Sequence, residues 1–379
     1  MKLHSHMSIE IREVTNKQGF KEFVKFPFKL YKTNKYWVPP IIKDEVQVLQ
    51  KEHNPAFNYC DAKFWVAYKD GKPAGRIGAI INRKDIEKTG EKYGRFSRFE
   101  AIDDHNVIKE LIQKAEKWIR TEGMEGVRGP LGFSNLDHQG MLIEGFDHLP
   151  SIASEYQMSY YKNHLEKLGY GKHIDWVEFR LTIEDVPAKA KKLTEIIKKR
   201  YKLKVVNFTK NKELLPYGKE VFKLLNEAFK DLFSVVELDE QMIDYYFKRY
   251  FGLLNPRFVK VVQDENNQMV GFIVGLPSLS RAMQKANGKI FPFGFRHILK
   301  ALKNPSEVDL LLTGIDPEMQ GKGVSALLIQ ELQQVMLDHN VRHVETTGIF
   351  ETNQKAIQHW KNYNHIQHKR KRCFTKNFN

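Results

Sequence analysis

The sequence predicts an α/β (α+β) chain built from two halves with the same order of elements. Three observations predict it. Strand-length and helix-length apolar patterns recur in one order twice, a hairpin stands at a matching place in each half, and a glycine turn divides a strand from a helix near residue 320. At 379 residues the chain is long enough for two domains of roughly 100–200 residues.

In the first half, residues 9–14 predict a strand and 19–31 a helix. A hairpin follows over 64–68 and 74–82, its turn marked by Asp70-Gly71, a pair that accepts the backbone of a tight hairpin. Residues 98–102 predict a strand, 107–122 a helix, 126–131 a strand, 159–168 a helix and 177–182 a strand. Asp185-Val186-Pro187 breaks the pattern, and a linking helix follows. This divides the chain into a domain over 8–184, a linking helix over 185–203 and a domain over 204–379.

The second half runs strand 204–209, helix 213–232, helix 241–251, and a hairpin of 258–263 with 269–275 around Asn266-Asn267. After an insertion come strand 308–315, a glycine turn, a helix to about Asp338, strand 341–349, helix 353–363 and strand 366–374. The glycine turn is Gln320-Gly321-Lys322-Gly323-Val324-Ser325. A strand-to-helix turn leaves backbone N–H groups exposed at the positive end of the helix dipole, which suits phosphate. Gly321 and Gly323 let an anion approach the backbone, and Lys322 adds charge. At the equivalent place the first half has Asp103-Asp104-His105, whose acids would cap a helix but repel phosphate. Only the second half is expected to bind the anion.

Lys plus Arg minus Asp plus Glu is 61 − 46 = +15, which permits an anionic partner without choosing one. Cys60 and Cys373 lie far apart with no metal-ligand spacing, which fits a reducing cytoplasm and argues against a zinc site or a disulfide framework. No apolar run approaches the roughly 20 residues that cross a bilayer, and no signal-peptide pattern opens the chain.

The order strand, Gln320–Ser325 turn, helix, strand, then Asn353 ahead of a helix resembles the GNAT N-acyltransferases, in a tandem bacterial form with a degenerate first copy. The family signature is Arg or Gln, two residues, Gly, one residue, then Gly or Ala; Gln320 and Gly323 fit it, and Ser325 is a mild departure. The resemblance implies two GNAT-like domains, each a mixed central sheet flanked by helices. It also implies acetyl-CoA or another acyl-CoA as co-substrate, held by Gly314, Ile315, Gln320, Gly321, Lys322, Gly323, Val324, Ser325 and Asn353. Gly314 marks where a bulge would open the strand edge for the pantetheine arm. Asn353 is equally an ordinary N-cap.

Acyl transfer needs a base for the amine and benefits from an acid for the leaving thiolate. The family often places that acid as a Tyr four residues after an Ala; here Ala356 is followed by Trp360, whose indole cannot serve. Tyr363 is the substitute candidate. Glu345 and Glu351 are the candidate bases, with Asp309, His343, His359 and His365 behind them; each is equally read as an ordinary surface or strand-end residue. These residues predict an acyl-CoA-dependent N-acyltransferase acting on an amine of unknown identity, acetyl-CoA being the first expectation. The alternatives are a long-chain acyltransferase acting on a lipid-like amine at a membrane surface, and a non-catalytic CoA-binding module.

Residues 289–303 carry Phe291, Phe293 and Phe295 ahead of a helix with Arg296, Lys300 and Lys303, which reads as a lid, a peripheral membrane contact, or a helix packed on its domain. Residues 128–134 and 138–150 read as ordered loops that connect elements or line an acceptor pocket. His368-Lys369-Arg370-Lys371-Arg372 alternate across a terminal strand, which points to a solvated edge protected by charge rather than to a nucleic-acid surface.

Overall fold

A computed structural model describes residues 8–360 and 363–378. The first half comprises β1 (Ile9–Glu13), α1 (Lys17–Leu30), α2 (Ile42–Val48), β2 (Cys60–Lys69), β3 (Lys72–Asn82) and α3 (Arg83–Thr89). It continues with β4 (Tyr93–Ala101), α4 (His105–Thr121), β5 (Gly126–Gly129), β6 (Met141–Glu144), α5 (Tyr160–Lys167) and β7 (Gly171–Thr182). The linking helix is α6 (Ala188–Arg200). The second half holds β8 (Lys204–Asn207), α7 (Gly218–Phe229), α8 (Glu240–Tyr250), β9 (Val259–Gln263), β10 (Met269–Pro277), α9 (Ser280–Ala286) and α10 (Gly294–Lys303). It ends with β11 (Glu307–Ile315), α11 (Val324–Asp338), β12 (His343–Thr346), β13 (Ile349–Phe350), α12 (Gln354–Trp360) and β14 (Asn364–Asn377).

Local chemistry explains the best-formed elements. Asp104 starts α4 by accepting from the N–H groups of Asn106 and Val107 at 2.9 and 3.3 Å. Val107, Ile108, Leu111, Ile112, Ala115 and Ile119 then recur at helical spacing and bury one face. The helix reaches the sheet closely because β3 offers Gly75, where a Cβ would stand 2.6 Å from the Leu111 side chain. Two expected elements are broken for visible reasons. Pro216 confines 211–217 to a 3₁₀ turn, so α7 begins only at Gly218. Thr347-Gly348 divides the expected strand over 341–349 into β12 and β13. Of the expected helix over 353–363, residues 361–362 lie outside the described residues.

The strands form one sheet in the order β1-β2-β3-β4-β5-β14-β7-β12-β11-β10-β9-β8, with β6 on β14 and β13 on β7. Two pairs are parallel and correspond between halves: β4 with β5, and β11 with β12. The final strand of each half is exchanged. β14 lies against β5 of the first half, β7 lies against β12 of the second, and the two pair with each other from Asn364↔Thr182 to Thr375↔Gly171. The boundary near residue 184 therefore divides the chain but not the sheet.

This overturns the reading of residues 368–372 as a solvated edge. β14 is central, and His368, Lys369 and Lys371 are buried. Carboxylates on β7 and β12 neutralise them: Lys371 lies 3.1 Å from Glu178, Lys369 3.5 Å from Glu345, and Arg372 2.8 Å from Asp175. Burying cations is tolerable only with such partners.

One core cluster lies under α4 and another under α11. A third joins the halves, packing Phe23, Val24 and Phe64 with Phe222, Tyr246 and Phe272. Among the described residues no helix is long and apolar enough to cross a membrane. Phe374 on the exchanged strand is fully buried among first-half residues. Phe374→Ala should therefore cost about 3–5 kcal/mol in urea unfolding, whereas an edge-strand Phe would cost far less.

Candidate active site

The site is built by a divergence between β11 and β12. They pair only from Glu307–Leu310 against His343–Thr346, after which β11 runs on to Ile315 while the other chain turns away to β13. A bulge marks the departure: Val274 of β10 pairs with Leu312 and Gly275 with Leu310, so Leu311 is the extra residue. This corrects the expectation for Gly314. Gly314 stays in register opposite Phe272, and its missing Cβ is needed because that ring lies 2.4 Å from where it would stand.

Beyond β11, α11 begins without a side-chain cap or an acid in its first turn. Among the described residues the N–H groups of Gly321, Gly323, Val324 and Ser325 have no hydrogen-bond acceptor. Four free amides at the start of a helix, with no carboxylate nearby on it, fit a diphosphate. The glycines play different parts. A Cβ on Gly321 would meet open space, whereas one on Gly323 would stand 2.5 Å from Ile197 of α6. Gly321 thus leaves room for the anion, and Gly323 admits the linking helix. The Lys322 ammonium turns toward α6, 5.7 Å above the Tyr201 ring.

Gln320, Gly321 and Ser325 open onto a cavity of about 730 Å³ between the halves. Ile315, Asn353, His359 and Trp360 also line it. Its apolar lining includes Val221, Phe222, Phe229, Phe247 and Leu254. Its charged lining comes mostly from the first half: Glu45, Arg98, Asp137 and His138, with Arg249 of α8.

The expected catalytic residues fall elsewhere. Glu345 is buried and tied to Arg180, His368 and Lys369. Burial would raise its carboxyl, yet the His368 hydrogen bond and the Lys369 charge hold it at about 2. Glu351 pairs with Lys172 and with Arg370 at 3.1 Å, outside the cavity lining. Tyr363 lies behind Trp360, its hydroxyl 3.4 Å from Gln333 Oε1 and its pKa raised by burial. None of the three reaches the cavity wall. Asn353 caps α12, accepting from the Ala356 N–H at 3.1 Å, and also lines the cavity. His343 is exposed, and His365 is held by the Tyr363 carbonyl at 2.8 Å. Of the three histidines expected from the sequence, His359 alone lines the cavity; its side chain is exposed, and partial desolvation lowers its pKa, which favours the neutral base.

The polar wall was not legible in the sequence, because its residues come from separate segments. Arg98 carries the one available signal. It has φ +46° in the middle of β4, where the β3 register shifts. A bulge there turns its guanidinium to Glu45 at 2.6 Å, and it corresponds in position to the Leu311 bulge of the second half. His138 donates to Glu155 at 2.8 Å and to the Ile152 carbonyl at 3.0 Å. Burial works against its charge, but Glu155 raises its pKa and is itself held at about 2. Glu155 thus favours the protonated form of His138 and fixes its ring on the wall.

Residues 219–363 match the Acetyltransferase (GNAT) family. The chain belongs to the GNAT acyltransferase superfamily, in its tandem form. It is 30% identical to Protein YghO of Escherichia coli (strain K12) over 359 residues, covering 90% of this chain and 89% of that protein. It is 24% identical to the Bacterial ceramide synthase of Caulobacter vibrioides, with 94% of each chain covered. A tandem GNAT protein from the clavulanic acid biosynthesis pathway superposes with a TM-score of 0.58 at 14% identity, covering 98% of both chains.

Asp309 is buried beside Glu345, and among the described residues neither of its carboxyl oxygens has a hydrogen-bond partner. Burial, then the Glu345 charge, raises its pKa well above the usual range. A raised pKa favours folding below the unfolded value of about 3.9 and loses that contribution as pH climbs toward the folded value. Asp309→Asn removes the loss. The variant should melt higher than the parent at about pH 7, and the gap should close at about pH 4.

Proposed function

We propose that the protein is an acyl-CoA-dependent N-acyltransferase that joins a long acyl chain to the amine of a lipid-like acceptor. The carrying observation is the cavity: one space of about 730 Å³ is lined both by Gln320, Gly321 and Ser325 and by the apolar Val221, Phe222, Phe229, Phe247 and Leu254, far more than an acetyl group needs. Similarity along nearly the whole chain to a protein named for ceramide synthesis supports the same choice of acceptor class.

Acyl-CoA would supply an activated thioester. The amides of Gly321, Gly323, Val324 and Ser325 would hold its diphosphate, and the edge Leu312–Ile315, beyond the β12 pairing, its amide-bearing arm. The wall of Val221, Phe222 and Phe229 would keep the acyl chain from water. His359, neutral and facing the cavity, is suited to accept the proton the amine must lose as its nitrogen bonds to the acyl carbon and the carbon–sulfur bond breaks. Glu45, Asp137 and the His138–Glu155 pair present charge and hydrogen-bonding groups to the acceptor's polar end.

Titration calorimetry with palmitoyl-CoA and acetyl-CoA tests the donor. Gly321→Asp adds an anion beside the amides and should weaken CoA binding about tenfold or more relative to Gly321→Asn, which carries the same backbone strain at φ +77° without the charge. Heat from neither thioester would remove the reading. Binding without thiol release across long-chain amines would favour the CoA-binding module that Trp360 motivates. Val221→Trp adds bulk at the apolar lining; it should lower kcat/KM for palmitoyl-CoA by about tenfold or more while sparing acetyl-CoA.

A further inference from the structure

Residues 276–306 contain Arg281, Lys285, Lys289, Arg296, Lys300 and Lys303 and not one Asp or Glu, although the chain as a whole has 46 acids. Among the described residues none of these six cations makes an ion pair. The same stretch exposes apolar surface. Phe291 is 75% exposed, Phe293 64% and Leu299 57%, and among the described residues no other aromatic ranks with the exposed large hydrophobics. Helix α10 packs only in part: Phe295, Ile298, Ala301 and Leu302 are half-buried, while Phe291, Phe293 and Leu299 face solvent.

The insertion is nevertheless firmly rooted. Ser280 donates from Oγ to the Pro150 carbonyl at 2.6 Å, and Gln284 to the carbonyls of Lys35 and Trp37 at 2.9 and 3.0 Å. The Ile42 N–H bonds the Gly288 carbonyl at 3.0 Å, and Asn255 Nδ2 bonds the Leu302 carbonyl at 3.0 Å. Two of these roots adjoin the cavity: Leu254 precedes Asn255, and Glu45 lies one turn beyond Ile42 on α2. A rigid base thus presents Phe291, Phe293 and Leu299 within a field of unpaired cations.

We propose that residues 289–303 dock the protein on an anionic phospholipid surface. Exposed Phe and Leu side chains settle at the boundary between headgroups and acyl chains, and unpaired Lys and Arg around them draw anionic headgroups. The chemistry matches one occupant on both counts, since a nucleic acid would use the cations but leave Leu299 and the two rings in water. Docking would set the cavity's α2 and α8 side toward the source of lipid-like substrates. That consequence rests on the proposed function, whereas the docking itself does not.

Vesicle flotation of the full chain, with no acyl-CoA present, tests the surface apart from any activity. Vesicles of phosphatidylcholine with about one third phosphatidylglycerol should carry the protein upward, and pure phosphatidylcholine vesicles should carry much less. Phe291→Ser with Phe293→Ser should lower the partition coefficient about tenfold or more. Lys300→Gln with Lys303→Gln, which removes two charges, should lower it about thirtyfold on the anionic vesicles. All four side chains are exposed, so circular dichroism should remain that of the parent. The proposal is overturned if the parent chain stays with the dense fraction, if neither double variant changes flotation, or if the patch binds a single-stranded oligonucleotide and no vesicle.

Discussion

The pairing of β7 with β14 is the constraint on which the rest of the molecule depends. Each strand ends one half of the chain and completes the sheet of the other. Neither half can close its own sheet, so the two fold as one surface. The seam is polar beneath its backbone ladder. Glu178, Glu345, Lys369 and Lys371 interlock there, with Ser154 donating to Glu178 at 2.7 Å. A slip of β14 by one residue would turn Lys369 and Lys371 to the opposite face, away from Glu178 and Glu345 and among the apolar side chains under α11. Buried ions contribute little net stability, but here they specify a single register.

With the halves locked, the space between them acquires a fixed shape. The second half leaves its parallel pair splayed and its helix start uncapped, while the first half has closed the corresponding places. Asp104 caps α4, and Arg98 sits at the bulge that matches Leu311. One copy binds and the other becomes wall. The cavity is therefore asymmetric, polar on the first-half side and apolar beneath α7 and α8.

Elements set by local chemistry could be read from the chain. The Asp70-Gly71 turn, the α4 periodicity and the Gln320–Ser325 turn all lie where neighbouring residues dictate them. The tandem α/β architecture followed from their order. Strand exchange left no local mark, because the alternation of residues 368–372 looks the same at an edge as at the centre of a sheet. The same limit hid the polar wall, whose Glu45, Arg98, His138 and Arg249 meet only in space. Glu345 was singled out for its residue type and strand; only its partners show it to be part of the seam.

Gly323 carries a meaning its motif conceals. The family signature singles it out beside an anion site, but the atom it makes room for is Cδ1 of Ile197, from the helix that links the halves. A glycine kept for that contact would persist in a relative that had lost its ligand altogether. A smaller residue than Ile on the linking helix would lift that clash, but the left-handed backbone of Gly323, φ +86°, would still favour glycine. The motif reports at this position on how the chain passes from one half to the next, and only Gly321 reports on the ligand.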